Sequence, residues 1–454
     1  FGSSHLGSSH FGARLLVKMV KVWKVVAVPL LAFIAFRWPW DGIHLEQYGI
    51  NDPRVPQGWL LAPFGLGLNQ YVFYSILMQL IPLESMQQLG CEKLTPPSSI
   101  PEAQIYMGLY LKGIDAAAKA LQRYPDSKEL QRACIRQTAM SSLFNPYTSV
   151  VAGSAGMVEM FLAAFRRYKS DARFQELGHL GCLFDYSPAN VKRFRDSNGI
   201  QLVHEVIKAH YNDTWVQFQA FCAYSSGCQG GNSEACGGEE GLIETMVQVM
   251  RDHRKERVRE EVMQTMKGIA TTPSFRDRLA EAGIVPQLVQ VMQERTDSKT
   301  DQSVACEAFA ALVEPYWPEL DKSNASVPSE MQTLLAKEGA LNVAVKAVGL
   351  AADLSLHEGF GGQNAEALTQ YNIERACFHA MATLARRHPA NQDELVRLGA
   401  PAQLAAAMRG RPEDESVQVA ACRAVRALSE DGAANKLAVE AAEPPSCAGR
   451  LPVS

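Results

Sequence analysis

The chain has 454 residues, 47% of them hydrophobic and 20% charged, with a formal net charge of -4. This ordinary globular composition can bury a large core, and the absence of a basic excess excludes a general nucleic-acid grip, which would need a basic stripe to release counterions. An elongated repeat array accounts for the length without several globular domains.

Residues 1–14 are Ser-rich and free of acids, as expected of a targeting remnant or a flexible N-terminus. Residues 15–40 are predicted to form a single-pass transmembrane helix. The apolar run from Val25 to Phe36 is short for a bilayer, which takes about 20 residues. Extension from Val20 to Trp38 closes the gap if Lys21 and Lys24 snorkel and the tryptophans sit at the interface. Pro29 in mid-helix is better tolerated in a membrane than in water. Arg14, Lys18, Lys21 and Lys24 precede the span, so the positive-inside rule keeps the N-terminus on the matrix or cytoplasmic side and sends the remainder across.

Residues 41–102 read as an extended, apolar membrane-surface segment and linker. No charge occurs from Val55 to Leu83, but Pro63, Gly65, Gly67, Asn69, Gln70 and Gln79 interrupt the run. They favour a surface-lying helix or a partner-binding segment over a second span, which would return the array to the N-terminal side. Thr95 to Pro101 is a linker by composition.

Trp23-Lys24, Val26-Ala27-Val28-Pro29, Pro39-Trp40-Asp41-Gly42, Asn51, Val55 and Pro56-Gln57-Gly58-Trp59 fall in the order and approximate spacing of another protein's motifs. In these residues the N-terminal segment resembles the small VIa-type subunit of cytochrome c oxidase, whose membrane helix is followed by a Pro-Trp-Gly-Asp-Gly motif. The Gly between Trp and Asp is absent here, as is the stretch the family places between helix and motif, and the family stops about where this chain's long extension begins. The resemblance implies a non-catalytic subunit of the mitochondrial inner membrane, its N-terminus in the matrix and its tail in the intermembrane space. It also implies that Trp23, Lys24, Pro29, Trp38, Trp40, Asp41, Gly42 and Trp59 contact lipid or neighbouring subunits.

From residue 103 to 442 the pattern is helical and repetitive. Gly156, Gly199, Gly241, Gly283, Gly339 and Gly399 sit in near-copies of one motif, seen most fully in Glu281-Ala282-Gly283-Ile284-Val285-Pro286-Gln287-Leu288-Val289, and fall 43, 42, 42, 56 and 60 residues apart. Each glycine is expected to end a short helix at a sharp turn. An amphipathic helix then begins, with apolar residues at helical spacing: Ile284, Val285, Leu288, Val289 and Met292. The period resembles armadillo and HEAT arrays, and the motif resembles the armadillo repeat, in which a small-residue turn leads into the long third helix. The fold class expected is all-α: an armadillo/HEAT-like α-solenoid preceded by a single-pass transmembrane helix. Insertions at Pro315–Pro328 and His357–Gln363 read as loops, and 443–454 as an extended tail.

The ten cysteines include no CxxC pair. Cys306, Cys377 and Cys422, at equivalent places in apolar helices, read as small core residues. Cys228 and Cys236 flank a flexible insertion that could close a disulfide in an oxidising compartment. Met246, Met250, Met263 and Met266 read as core, as do Trp215, Phe218 and Phe221; His179, His204 and His379 read as packing or surface residues. No HExxH, phosphate-binding loop or GxSxG elbow occurs, so neither an enzyme nor a bound cofactor or metal is expected.

Function is therefore expected to be structural: an accessory subunit of a mitochondrial inner-membrane respiratory complex, most specifically cytochrome c oxidase, with the solenoid on the intermembrane-space side. Its partners would be other subunits and membrane lipid, not nucleic acid or a small-molecule substrate. The alternatives are a membrane-tethered armadillo adaptor that binds peptides or regulatory proteins, and an accessory subunit of another bioenergetic complex such as the ATP synthase or a photosystem.

Overall fold

Gly156, Gly241, Gly283, Gly339 and Gly399 all adopt left-handed backbone, with φ between 77° and 95°. A residue without Cβ enters that region at no steric cost, and at each of these positions one short helix stops and the next starts. The computed structural model describes residue 78 and residues 81–93, 107–143, 146–184, 187–254, 256–313, 329–357, 372–430 and 432–447. Among them every regular element is helical.

An entry region of α1 (Glu84–Lys93), α2 (Met107–Arg123) and α3 (Lys128–Leu143) leads into triplets. These are α4 (Pro146–Ser154), α5 (Met157–Arg167) and α6 (Gly178–Phe184); then α7 (Pro188–Asp196), α8 (Gly199–Ala209) and α9 (Thr214–Gly227). Next come α10 (Ser233–Gly238), α11 (Leu242–Asp252) and α12 (Glu256–Ala270), and α13 (Ser274–Glu281), α14 (Ile284–Glu294) and α15 (Lys299–Val313). The last two are α16 (Ser329–Lys337), α17 (Ala340–His357) and α18 (Ile373–Ala385), and α19 (Pro389–Arg397), α20 (Ala400–Gly410) and α21 (Glu415–Leu428); α22 (Ala433–Ala441) closes the array. Helix α1 falls inside the stretch read as surface segment and linker and packs against α3.

The triplet corrects one expectation. The helix that follows the glycine turn is the middle one, 11 residues long in α5, α8, α11, α14 and α20. In four triplets a longer helix comes next, with 14 or 15 residues in α9, α12, α15 and α21, whereas α17 with 18 residues exceeds α18 with 13 and α5 exceeds α6 with 7. These long helices pack side by side, α3 to α6 to α9 to α12 to α15 to α18 to α21, as one continuous row. They are buried almost all round: in α15, for example, every residue from Asp301 to Val313 except Glu307 is buried.

Two sets of amides hold this stack. The first works inside each unit, where a middle helix ends with unpaired carbonyls. Gln131 Nε2 donates to Leu121 O and Tyr124 O at 2.8 and 2.9 Å, ten and seven residues back. Gln217 does the same to Ile207 O and His210 O, Gln302 to Met292 O and Arg295 O, and Gln418 to Met408 O and Arg411 O. Gln175 joins them through Phe165 O and Tyr168 O. At the same place in the third copy stands Arg259, 1% exposed, donating to Met250 O at 3.1 Å and pairing with Glu294 at 2.9 Å, which holds the Glu294 carboxyl below its ordinary range.

The second set stitches one unit to the next. Asn190 Nδ2 reaches Leu183 O at the end of α6 and Ser149 O on α4. Asn232 reaches Gly227 O and Val191 O, and Asn391 reaches Leu384 O and Gln332 O. Arg276 instead bridges Ala270 O of the preceding unit and Val313 O at the end of its own unit's α15. Buried carbonyls left without such donors would each cost about 1–3 kcal/mol.

The predicted transmembrane helix at 15–40, the insertions at Pro315–Pro328 and, beyond its first residue, His357–Gln363, and all the N-terminal contact residues lie outside the described residues. His357, read as the start of an insertion, is the last residue of α17. Among the described residues no single helix is long and apolar enough to cross a membrane. Thr148–Ser154 with Met157–Arg167 pass by length and composition only as a pair bent by 72°, and they are α4 and α5 of the array.

Candidate partner-binding face

A solenoid helix packed on both sides keeps a narrow stripe for solvent, and the row of long helices shows what fills it. On α9 the stripe begins with Trp215, 53% exposed, in the first turn behind the Asp213 cap, whose carboxylate accepts from the backbone N–H of Trp215 and Val216. The Phe218 ring lies 5.5 Å from the indole at 40°, and the Arg257 guanidinium of α12 stands 5.7 Å over Phe218. Beside them, Tyr211 packs edge-on against His253 at 5.3 Å and donates to Asp252 at 2.7 Å; burial and that carboxylate push the Tyr211 hydroxyl up to about 12. Reading Trp215 as repeat core is thus corrected. Phe221, a third of a turn round the same helix, is fully buried, and Phe218 lies between.

The correction has a sequence signal. Counting two residues back from each ladder position gives Glu129, Arg173, Trp215, Arg257, Thr300 and Ser416. Five of these six are polar, so the register marks the position as solvent-facing and isolates the tryptophan. Helical spacing alone could not, because 215, 218 and 221 lie near one another on the helix and only packing decides where the core ends.

Farther along, the stripe is charged. Glu307 on α15 takes Lys267 from α12 and Arg375 from α18, the latter at 2.9 Å, so one carboxylate ties three successive long helices. Arg411 reaches Glu374 at 3.0 Å, and Arg132 reaches Glu176 at 2.5 Å. His379, beside Arg423 and Arg375, is pushed down to about 4, mainly by burial. His204 is held by Glu239 at 3.1 Å and Thr245 at 3.2 Å, and burial lowers it as well as His179. Met246, Met250, Met263 and Met266 are all fully buried.

A cleft of about 360 Å³ opens between α5 and α8. Its cation is already engaged, because Arg166 donates to Ser197 O and to Asn198 O, and Glu159 pairs with Arg193 at 3.1 Å. Among the described residues no group of three or more His, Cys, Asp or Glu side chains is placed to hold a metal.

The cysteines depart furthest from expectation. Cys306, Cys377 and Cys422 are not plain core thiols: Cys306 is bonded to Cys377 and Cys422 to Cys447. Cys228 and Cys236 are bonded to each other, and Cys91 to Cys134.

No family model matches the chain, and no curated protein matches it by sequence. Solved structures do resemble it. An engineered protein from the Northeast Structural Genomics Consortium superposes with a TM-score of 0.57 at 16% identity, over 82% of this chain and 92% of that one. A designed armadillo repeat protein matches with a TM-score of 0.38 at 18% identity, over 69% of this chain and 99% of its own. At such identities the likeness concerns the fold alone. The helix triplets, their 42-residue period and the left-handed glycine turns make it an armadillo-like solenoid.

Proposed function

We propose that this chain is a non-catalytic scaffold that joins other proteins through the open face of its long-helix row. The observation that carries the reading is the half-exposed Trp215 set against Phe218 and Arg257 on a surface otherwise occupied by polar and charged residues. Large aromatic and Arg side chains are the groups that dominate protein–protein contact energies, and a rigid row of helices presents them without an ordering cost. The finer reading is an accessory subunit of a mitochondrial inner-membrane respiratory complex, most specifically cytochrome c oxidase; it is supported by the N-terminal resemblance around Trp23, Pro29, Trp40 and Trp59.

The test is purification from membranes in mild detergent through a tag on the full chain, reading subunit composition and the visible haem spectrum together. Haem a absorbance with one-to-one oxidase subunits is the expected result. Partners recovered without haem a would remove the oxidase assignment and leave the scaffold. Trp215→Ala combined with Arg257→Glu should weaken partner recovery at least tenfold at an unchanged melting temperature; undiminished recovery would move the contact to another face.

A further inference from the structure

All ten cysteines fall within the described residues, and eight of them are paired. The pairs have a plan. Cys91 on α1 joins Cys134 on α3, 43 residues away, tying the entry helix to the start of the long row, and Cys306 on α15 joins Cys377 on α18, 71 residues away, tying two neighbours within it. Cys228, at the end of α9, joins Cys236 on α10 across an 8-residue separation, closing the turn between two units. Cys422 on α21 joins Cys447, which pins the segment after α22 onto the last long helix. The Cα separations, 4.8, 5.7, 4.9 and 5.6 Å, lie inside the range that a disulfide spans without moving the backbone. The other two, Cys182 on α6 and Cys222 on α9, remain thiols. Burial, reinforced by Glu261, pushes the Cys222 thiol well up, so it stays protonated and is a poor nucleophile for exchange.

We propose that the solenoid is built by oxidative folding, its eight paired cysteines being oxidised by a dithiol–disulfide carrier in an oxidising compartment. Disulfides at this density persist where thiols are not kept reduced by a glutathione pool. For each pair, one cysteine thiolate attacks the carrier's disulfide and forms a mixed disulfide, releasing one carrier thiol. The second thiolate then displaces the other carrier sulfur. The two electrons and two protons lost by the pair end on the carrier, which leaves as a dithiol. Cys91, Cys134, Cys228, Cys236, Cys306, Cys377 and Cys422 are all fully buried. A carrier cannot reach them once neighbouring helices have closed, so the mixed disulfide forms while the chain is still open, and the second thiolate displaces the carrier as the two helices come together. The inference rests on the cysteines alone and does not depend on which complex the protein joins.

The test uses the full chain from its own cells, quenched in acid so that exchange stops. It is unfolded and treated with N-ethylmaleimide, then reduced, treated with iodoacetamide and mapped by peptide mass. The expected map has N-ethylmaleimide on Cys182 and Cys222 only and iodoacetamide adducts on the other eight, with four cross-linked peptides, 91–134, 228–236, 306–377 and 422–447, before reduction. N-ethylmaleimide on the eight, or cross-links in another pairing, would overturn the proposal. Neither result bears on the haem measurement, so the two readings fail separately.

Discussion

Asn190 satisfies two carbonyls of the preceding unit with one amide, and Gly153 makes room for it: a Cβ at Gly153 would sit 1.7 Å from Asn190 Oδ1. Asn190→Ala leaves Ser149 O and Leu183 O buried without their donor, and the expected loss is about 2–4 kcal/mol in chemical denaturation. Gly153→Ala should cost a similar amount by expelling the amide, and the double variant should cost much less than the sum; additive losses would break the link between the two residues. A second residue-scale effect depends on pH. His379 titrates near 4 in the folded chain, and His179 and His204 are also lowered, whereas an unfolded histidine takes its proton near 6.5. Folding therefore opposes protonation: the stability these residues contribute is complete above about pH 6.5 and declines as the pH falls below it, for His379 down to about 4. For His379 alone the loss approaches about 3 kcal/mol, and His379→Gln should flatten the stability profile through that window. A profile identical to the parent's would exclude His379 as the source.

The elements show which parts of the architecture can be read from residues and which need packing. Helical periodicity and the recurring glycines are local signals, and they locate the middle helices at Ile284, Ala340 and Ala400 to the residue. They cannot say which of two adjacent small residues carries the turn. At the second copy Asn198, not Gly199, has the left-handed backbone, with φ of 54°, while Gly199 is the first residue of α8. Gly199 is there for space: its Cβ would lie 2.2 Å from the Phe194 ring and 2.7 Å from Phe194 O. Gly199→Ala is therefore expected to destabilise by about 1–3 kcal/mol, while Asn198→Gly should be near neutral, since Gly accepts the same φ freely. Thermal melts of the two variants check this, and the reverse order would restore the turn role to Gly199. The order of helix lengths escaped the sequence for a related reason. Both the middle and the long helix are apolar enough to be core, and only the ladder from Gln131 to Gln418 tells them apart, because an amide at that register must lie under the end of the preceding helix. The exposed Trp215 of the candidate face becomes legible only through the same register.

At the scale of the molecule, a solenoid has few contacts between distant units, so its stability is a sum of units and interfaces, and it can open in segments. The disulfides act against this. Composition and spacing gave no hint of three of the four bonds: pairs 43, 71 and 25 residues apart meet only after the units stack. In the chain-entropy account, closing 71 residues between Cys306 and Cys377 removes about 4 kcal/mol of unfolded-state freedom, against about 2.5 kcal/mol for the 8 residues between Cys228 and Cys236. The Cys306–Cys377 bond thus ties together two units whose interface would otherwise be free to part between α15 and α18. Hydrogen exchange should then show α18 to α21 protected to nearly the same degree as α9 to α15 in the oxidised protein. After full reduction, protection should fall first from α18 onward, while α9 to α12, held by the Gln217, Arg259 and Asn232 bonds, keeps most of its own. The Cys422–Cys447 bond should be the first to yield to mild reductant, because Cys447 alone among the eight is partly exposed and lies beyond the last helix. If reduction instead lowers protection evenly along the array, the bonds are passengers on a stack that is already cooperative, and the side-chain ladders alone account for its cohesion.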